Sequence, residues 1–339
     1  MKGLKALCPH LLTGPAPSSH TRVMHMPTPP SPALWILALV LTGSVSLGCA
    51  SAGIGSRSME WTGERETVRV VEAGSRRVLT PLEAIDDLAA QRVIYVAEHH
   101  GSPAHHAVQR LVVEGLVSRG LRPLLAVEWV ERSRQAVLDR WVRGEMTLAQ
   151  LKEGLAWEER WGHAFEEVQP LFELARVHSL EILALNAPRE LVRRVAKVGR
   201  EGLTDEERAV CPPLTTGNRA HRAHLQAHYA HHPHGQAKGF ERFYQAQLVW
   251  DERMAEGVSD ALRSTRPVVV LAGAGHIAHG FGIPERVRGE GSERFRIVIA
   301  VPRGGMADQS THLGYLAYPS RRGDLFWESV YLEAHAVSH

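Results

Sequence analysis

Between Glu98 and His106 the chain reads Glu-His-His-Gly-Ser-Pro-Ala-His-His, five ionisable side chains within nine residues. Such a group is costly to bury without a ligand or mutual partners. Neutral imidazole and carboxylate are the ordinary ligands of zinc, iron, copper and manganese, and imidazole also suits haem iron. Similar residues recur further on: Glu128, Asn186-Ala187-Pro188, and Gly273-Ala274-Gly275-His276 with His279 three places later. Each has a bland reading by itself, as a helix cap, half of an ion pair or a hydrogen-bonded surface group. The Gly-x-Gly-His turn also lacks the third glycine and downstream acid of a dinucleotide fingerprint.

Two other stretches carry polar residues in unusual places. Phe240, Phe243, Tyr244, Met254, Ala255, Val258 and Leu262 share one apolar stripe at helical spacing, and Gln247 and Asp251 fall inside it. A buried Asp251 must meet a cation, a histidine or backbone donors, and either ligation or the bracing of a loop meets that need. The stretch His221–His234 holds six histidines, at 221, 224, 228, 231, 232 and 234. On a helix the first three share a face suited to metal capture. A solvated segment with idle histidines is the alternative, and it is the one expected here.

These residues need elements to position them. Five short apolar runs have strand character: Val93–Ala97, Pro123–Val127, Glu181–Leu185, Val268–Ala272 and Arg296–Val301. None alternates strictly, as befits strands buried on both faces of a mostly parallel sheet. Helical patterns separate them. Ser102 and Pro103 open one, with Val108, Leu111, Val112 and Leu116 at helical spacing; others are expected over 133–143, 169–178, 188–198 and 240–262. The expected fold is α/β, a mostly parallel sheet with helices on both faces and a helical, His-rich insertion over about 200–238. A last strand is expected near 325–332. In such sheets ligands bind beyond the carboxyl ends of the strands, so the acids and imidazoles should converge on one rim.

The 339 residues, 44% hydrophobic and 22% charged, suffice for a sizeable core and exclude wholesale disorder or a multi-span membrane protein. A net charge of +2 gives no electrostatic case for nucleic acid. Cys8, Cys49 and Cys211 cannot build a disulfide framework or a multi-cysteine zinc site. Residues 33–47 are apolar but short of the roughly 20 needed to span a bilayer, and fit the core of a secretory signal. Gly48-Cys49-Ala50 beyond them resembles a bacterial lipoprotein cleavage site, in which Cys49 would receive the lipid. The expected organisation is a leader over 1–50, a tether over 51–66 and a folded domain over 67–339. The expected place is the bacterial cell envelope.

The segment Val93–Gln109 (VIYVAEHHGSPAHHAVQ) resembles the opening motif of the ChaN-like haem-binding lipoproteins of the Tiki/TraB-like superfamily. Ala126–Asp139, Ala184–Leu191, Phe243–Ala255 and Val270–Pro284 resemble further pieces in the same order, with Ala97 standing where the family usually has glycine. The resemblance implies site positions at Glu98, His100, His106, Glu128, His276, Gln247 and Asp251. Glu98, His100, Glu128 and His276 are the expected metal contacts. It implies binding of haem or iron, a homodimer, an iron-uptake role beside haem transport machinery, and a tyrosine ligand among Tyr95, Tyr229, Tyr244, Tyr315, Tyr318 and Tyr331. Trp129, Trp141, Trp157 and Trp161 would then either cover a macrocycle or form plain core. The competing expectation is a hydrolase of peptides or esters that uses a divalent metal such as Mn or Zn in the same cluster. No Gly-x-Ser-x-Gly and no His-Glu-x-x-His supports it.

Overall fold

The computed structural model describes residues 69–73, 75–216, 219–230, 239–289, 291–302 and 325–329. The leader, the tether, Cys49, Tyr315, Tyr318, Tyr331 and the histidines at 231, 232 and 234 lie outside the described residues.

Among the described residues eight strands form one sheet: β1 (Arg69–Glu72), β2 (Val78–Leu79), β3 (Val93–Glu98), β4 (Leu124–Glu131), β5 (Ile182–Asn186), β6 (Val268–Gly273), β7 (Phe295–Pro302) and β8 (Leu325–Ser329). Their order is β2-β1-β8-β7-β3-β6-β4-β5. From β8 to β5 every pairing is parallel, while β1 runs antiparallel to both β8 and β2. The mostly parallel sheet is therefore present, with an antiparallel margin of two short strands that the apolar runs do not reveal.

Both faces of the sheet are covered, which explains the uninterrupted apolar runs. On β3, Ile94 and Val96 join one core with Trp141, Trp157, Phe165 and Phe172, whereas Val93, Tyr95 and Ala97 join the other with Met254, Val258 and Ile283. The first core is supplied by α1 (Pro81–Ala89), α2 (Pro103–Ser118), α3 (Gln135–Val142), α4 (Leu148–Gly154), α5 (Trp157–Arg160) and α6 (Phe165–Val177). The second is supplied by α10 (Phe240–Ala261) and α11 (Ile283–Arg286). A smaller core joins α7 (Arg189–Val198) to α10 through Val192, Val195, Ala246 and Val249.

Local signals agree with these elements. Pro103 occupies the first turn of α2, and Ser102 its N-cap, although the Ser102 side chain makes no capping bond; its carbonyl instead accepts from the His105 and His106 amides. Arg92 closes the far end of α10, donating to the carbonyls of Leu262, Ser264, Thr265 and Arg266. At the outer margin of β5 the Gln135 side chain donates to the Ile182 carbonyl at 2.7 Å and accepts from the Ala184 amide at 2.8 Å.

The insertion contains α8 (Asp205–Val210) and α9 (Arg219–Ala230). The expected solvated reading does not hold for α9, because His221, His224 and Leu225 are buried. Leu225 packs with Tyr244 and Leu248 of α10, which draws that face of the helix out of water. Among the described residues no helix is long and apolar enough to cross a membrane.

Candidate functional site

A cavity of about 640 Å³ opens at the carboxyl ends of β3, β4, β5 and β6. Glu98, His100, Glu128, Gln247 and His276 all line it. His106 and Asp251 do not; they stand behind it, buried, each against a lining residue.

Glu98 closes β3 and is 1% exposed. Its carboxylate accepts from Gln109 Nε2 at 2.7 Å and Trp129 Nε1 at 3.0 Å, and bonds His100 Nδ1 at 2.7 Å. His106 Nε2 lies 3.2 Å away, near enough to feel the charge but not aligned for a hydrogen bond. Burial opposes ionisation of Glu98, but the bond from His100 and the closeness of the His106 imidazole outweigh it and hold its pKa below the usual carboxylate range.

Glu128 lies within β4 rather than at its end, where the register with β5 shifts between Val127 and Glu131. That irregularity lets neighbours on one strand, Glu128 and Trp129, both reach the cavity. Glu128 accepts from the Gly273 amide at 2.6 Å and lies 3.9 Å from His100 Nε2 and 3.7 Å from His276 Nε2. His276 in turn bonds Asp251 through Nδ1 at 2.6 Å. Burial works against the imidazolium of His276, yet the Glu128 charge and the Asp251 bond push its pKa up to about 9. The His100 pKa is also raised, with the Glu98 bond and the Glu128 charge overcoming burial and the repulsion of His276. Two imidazoles thus have Nδ1 fixed by a carboxylate and turn Nε2 toward Glu128.

Glycine permits this crossing. A Cβ on Gly273 would stand 2.9 Å from the His100 ring and 3.3 Å from Glu128 Oε2, so His100 can reach from Glu98 toward Glu128 only over a bare backbone. Gly282, at φ +61°, lies where a Cβ would meet the His276 carbonyl and Asp251 Oδ1.

Aromatic walls complete the cavity. Trp129, Trp161, Trp250 and Phe243 line it, whereas Trp141 and Trp157 are buried core, so the four tryptophans expected as one group divide into two roles. His163, Arg160 and Arg189 also face the cavity and were not singled out from the sequence, and they are joined there by His228 from the His-rich insertion. His163 and Trp161 pack on the His100 ring, and the run Trp-Gly-His was their only sequence signal. None of Tyr95, Tyr229 and Tyr244 lines the cavity. Among the described residues no group of three or more His, Cys, Asp or Glu is arranged to hold a metal ion.

The sequence pattern of the family described as "Haem-binding uptake, Tiki superfamily, ChaN" matches residues 84–287, more than half of the chain. The chain belongs to that family. Its fold is that of ChaN from Campylobacter jejuni, solved with cofacially bound haem, at a TM-score of 0.59 and 16% identity over 79% of this chain and 99% of that one. Weaker likenesses reach the type III effector HopBA1 (TM-score 0.44, 13% identity, 79% of this chain and 99% of the other). A mutant erythromycin esterase, EreC, in its open conformation follows (TM-score 0.42, 10% identity, 68% and 77%). No curated protein matches the chain in sequence. The ChaN family match includes every rim residue described above, from Glu98 to His276.

Proposed function

We propose that this ChaN-family chain binds haem in the strand-end cavity, and does so as an exported protein held at a membrane of the bacterial cell envelope by lipid on Cys49. The observation that carries the reading is the cavity itself. Its volume of about 640 Å³ lies within the usual range for ligand sites, and its walls combine indole and phenyl faces with imidazoles and guanidiniums. That chemistry fits a flat macrocycle bearing carboxylates. Bound haem supplies an iron centre whose redox state can change. Glu98, His100, Glu128, Gln247 and His276 would contact the group, with His106 and Asp251 holding Glu98 and His276 in place. Fixing Nδ1 of His100 and His276 on carboxylates is how proteins set the tautomer of an iron- or metal-binding imidazole. Delivery of iron for uptake, with haem transport machinery as partner and a homodimer bringing two haems together, belongs to the same proposal; the C. jejuni protein binds haem cofacially.

Haem titration of the purified protein, followed by the Soret band and combined with metal analysis, tests it. A saturable Soret shift is expected, weakened about tenfold or more in His100→Ala. No shift, with a tightly held Mn or Zn instead and ester or peptide hydrolysis lost in Glu98→Ala, would replace this reading with the hydrolase. Radiolabelled fatty acid should enter the wild type and not Cys49→Ala.

A further inference from the structure

One wall of the cavity is a helix with a small hold on the rest of the molecule. α9 contributes Leu225 and His228 to the lining. Its buried apolar contact is a cluster separate from the main cores, Leu225 against Tyr244 and Leu248 of α10, with Phe240 and Phe243 partly buried beside them. Such an element opens at far lower cost than the sheet beneath it. On the same side Arg222 lies over the Tyr244 ring at 4.8 Å and bonds Glu241 at 2.7 Å, contacts that neutral and mildly acid water leave alike. The adjoining face of α9 is different. There the His224 ring stands 4.8 Å from that of His228, 5.3 Å from that of His279 and 6.1 Å from that of Phe281. His279 belongs to the 3-10 turn Ala278–Gly280 that follows the rim residue His276. It sits at φ +61°, a conformation costly for a residue with a side chain and kept only where the surroundings enforce it.

From this packing we infer that α9 is an acid-released gate: as the medium turns acid, the helix from His224 onward leaves the turn at 278–280 and opens the cavity wall. A proton on His224 places a cation out of water among other imidazoles. Burial first, then His228, His279 and His221, lower its pKa to about 3. Once the segment lifts away, the ring regains water and its ordinary value of 6.5. Between those values the opened form takes the proton and the closed form does not, so opening gains about tenfold per pH unit as pH falls. The charged groups around the helix fix where it yields. Glu285 of α11 and Asp251 of α10 face His221, at 3.0 Å and 3.8 Å, and Arg286 pairs with Glu285. A proton on His221 would meet these two acids, so the start of α9 stays anchored and the contact of His224 with the turn is the one that acid breaks. An opened wall would let the occupant of the cavity enter or leave where pH is low. The gate does not rest on that occupant being haem.

Hydrogen exchange of the whole haem-free protein, followed by mass spectrometry from pH 7 to 5 and corrected for the intrinsic exchange rates, tests it. Amides of residues 224–230 should lose about 30-fold in protection between pH 6.5 and 5, while those of β3 and β6 keep theirs. His224→Gln is neutral at every pH and should remove that fall, even if its helix starts less protected, because the slope with pH is read and not the level. His224→Phe, which keeps a ring beside Phe281, should remove it as well. The inference is overturned if wild-type α9 keeps its protection down to pH 5, if either variant retains the fall, or if β3 and β6 lose protection together with α9.

Discussion

Two histidine neighbourhoods adjoin at the turns that carry His276 and His279 and behave oppositely. His276 and His224 are both buried, at 8% and 2% exposure. The first lies between Glu128 and Asp251 and has its pKa pushed up to about 9; the second faces His228, His279 and His221 and falls to about 3. Burial disfavours the cation in both, so the neighbours decide the outcome. Carboxylates make the rim a place of fixed charge. Imidazoles facing imidazoles make α9 a place of neutral donors.

The comparison breaks most visibly at Asp251. Asp251→Ala leaves the His276 imidazolium buried with one partner removed, and should cost about 3–5 kcal/mol in urea unfolding. A cost below about 1 kcal/mol would mean that His276 is not held as a cation. Trp129→Phe is the next largest change. It keeps an aromatic wall and deletes the indole donor to the Glu98 carboxylate, so a loss of about 2 kcal/mol is expected in the same assay.

The smallest effect lies in the pH dependence, and its sign differs between the two regions. His276 has a folded pKa above its ordinary value of 6.5. Its contribution is complete below pH 6.5 and is lost as pH rises through about 9, at no more than about 1.4 kcal/mol per pH unit. His100 adds to the same alkaline limb. For His224 the unfolded chain binds the proton more readily, so stability is unaffected above pH 6.5 and falls as pH drops toward 3. The Glu98 contribution is complete above its ordinary value of 4.5 and is lost only below it, which leaves pH 6.5 to 5 as the window that isolates His224. Unfolding measured across pH should therefore show His276→Gln flattening the alkaline limb and His224→Gln the acid limb between pH 6.5 and 5. Exchange of these two outcomes would reverse the assignment of the two regions.

Much of the frame was legible from residue order. The five apolar runs fall on β3 to β7, and the pair Ser102-Pro103 marks the start of α2 because proline at a first helical position carries its own geometry. Thr80-Pro81-Leu82-Glu83 carries an equally plain signal, a capping box, yet α1 went unread because no apolar run of strand character precedes it. β1 and β2 are too short for periodicity to register, and it is β8, far along the chain, that joins β1 to the rest of the sheet. Within the site, Glu128 reads as a strand end, but β4 continues to Glu131. The role of Gln109 was hidden for another reason: only the fold brings a helix residue 11 positions downstream to Glu98. The burial of His221 and His224 depended on α10 lying opposite, and a polar composition gave no sign of it.

The amide of Gln135 has a bearing on how copies of this chain can meet. By offering a donor and an acceptor to the outer backbone of β5, it stands in for a ninth strand and leaves no template there for another polypeptide to zip onto. That blocks runaway stacking along this margin. Copies that met at this margin would do so through side chains that selection can tune, not through a shared backbone ladder.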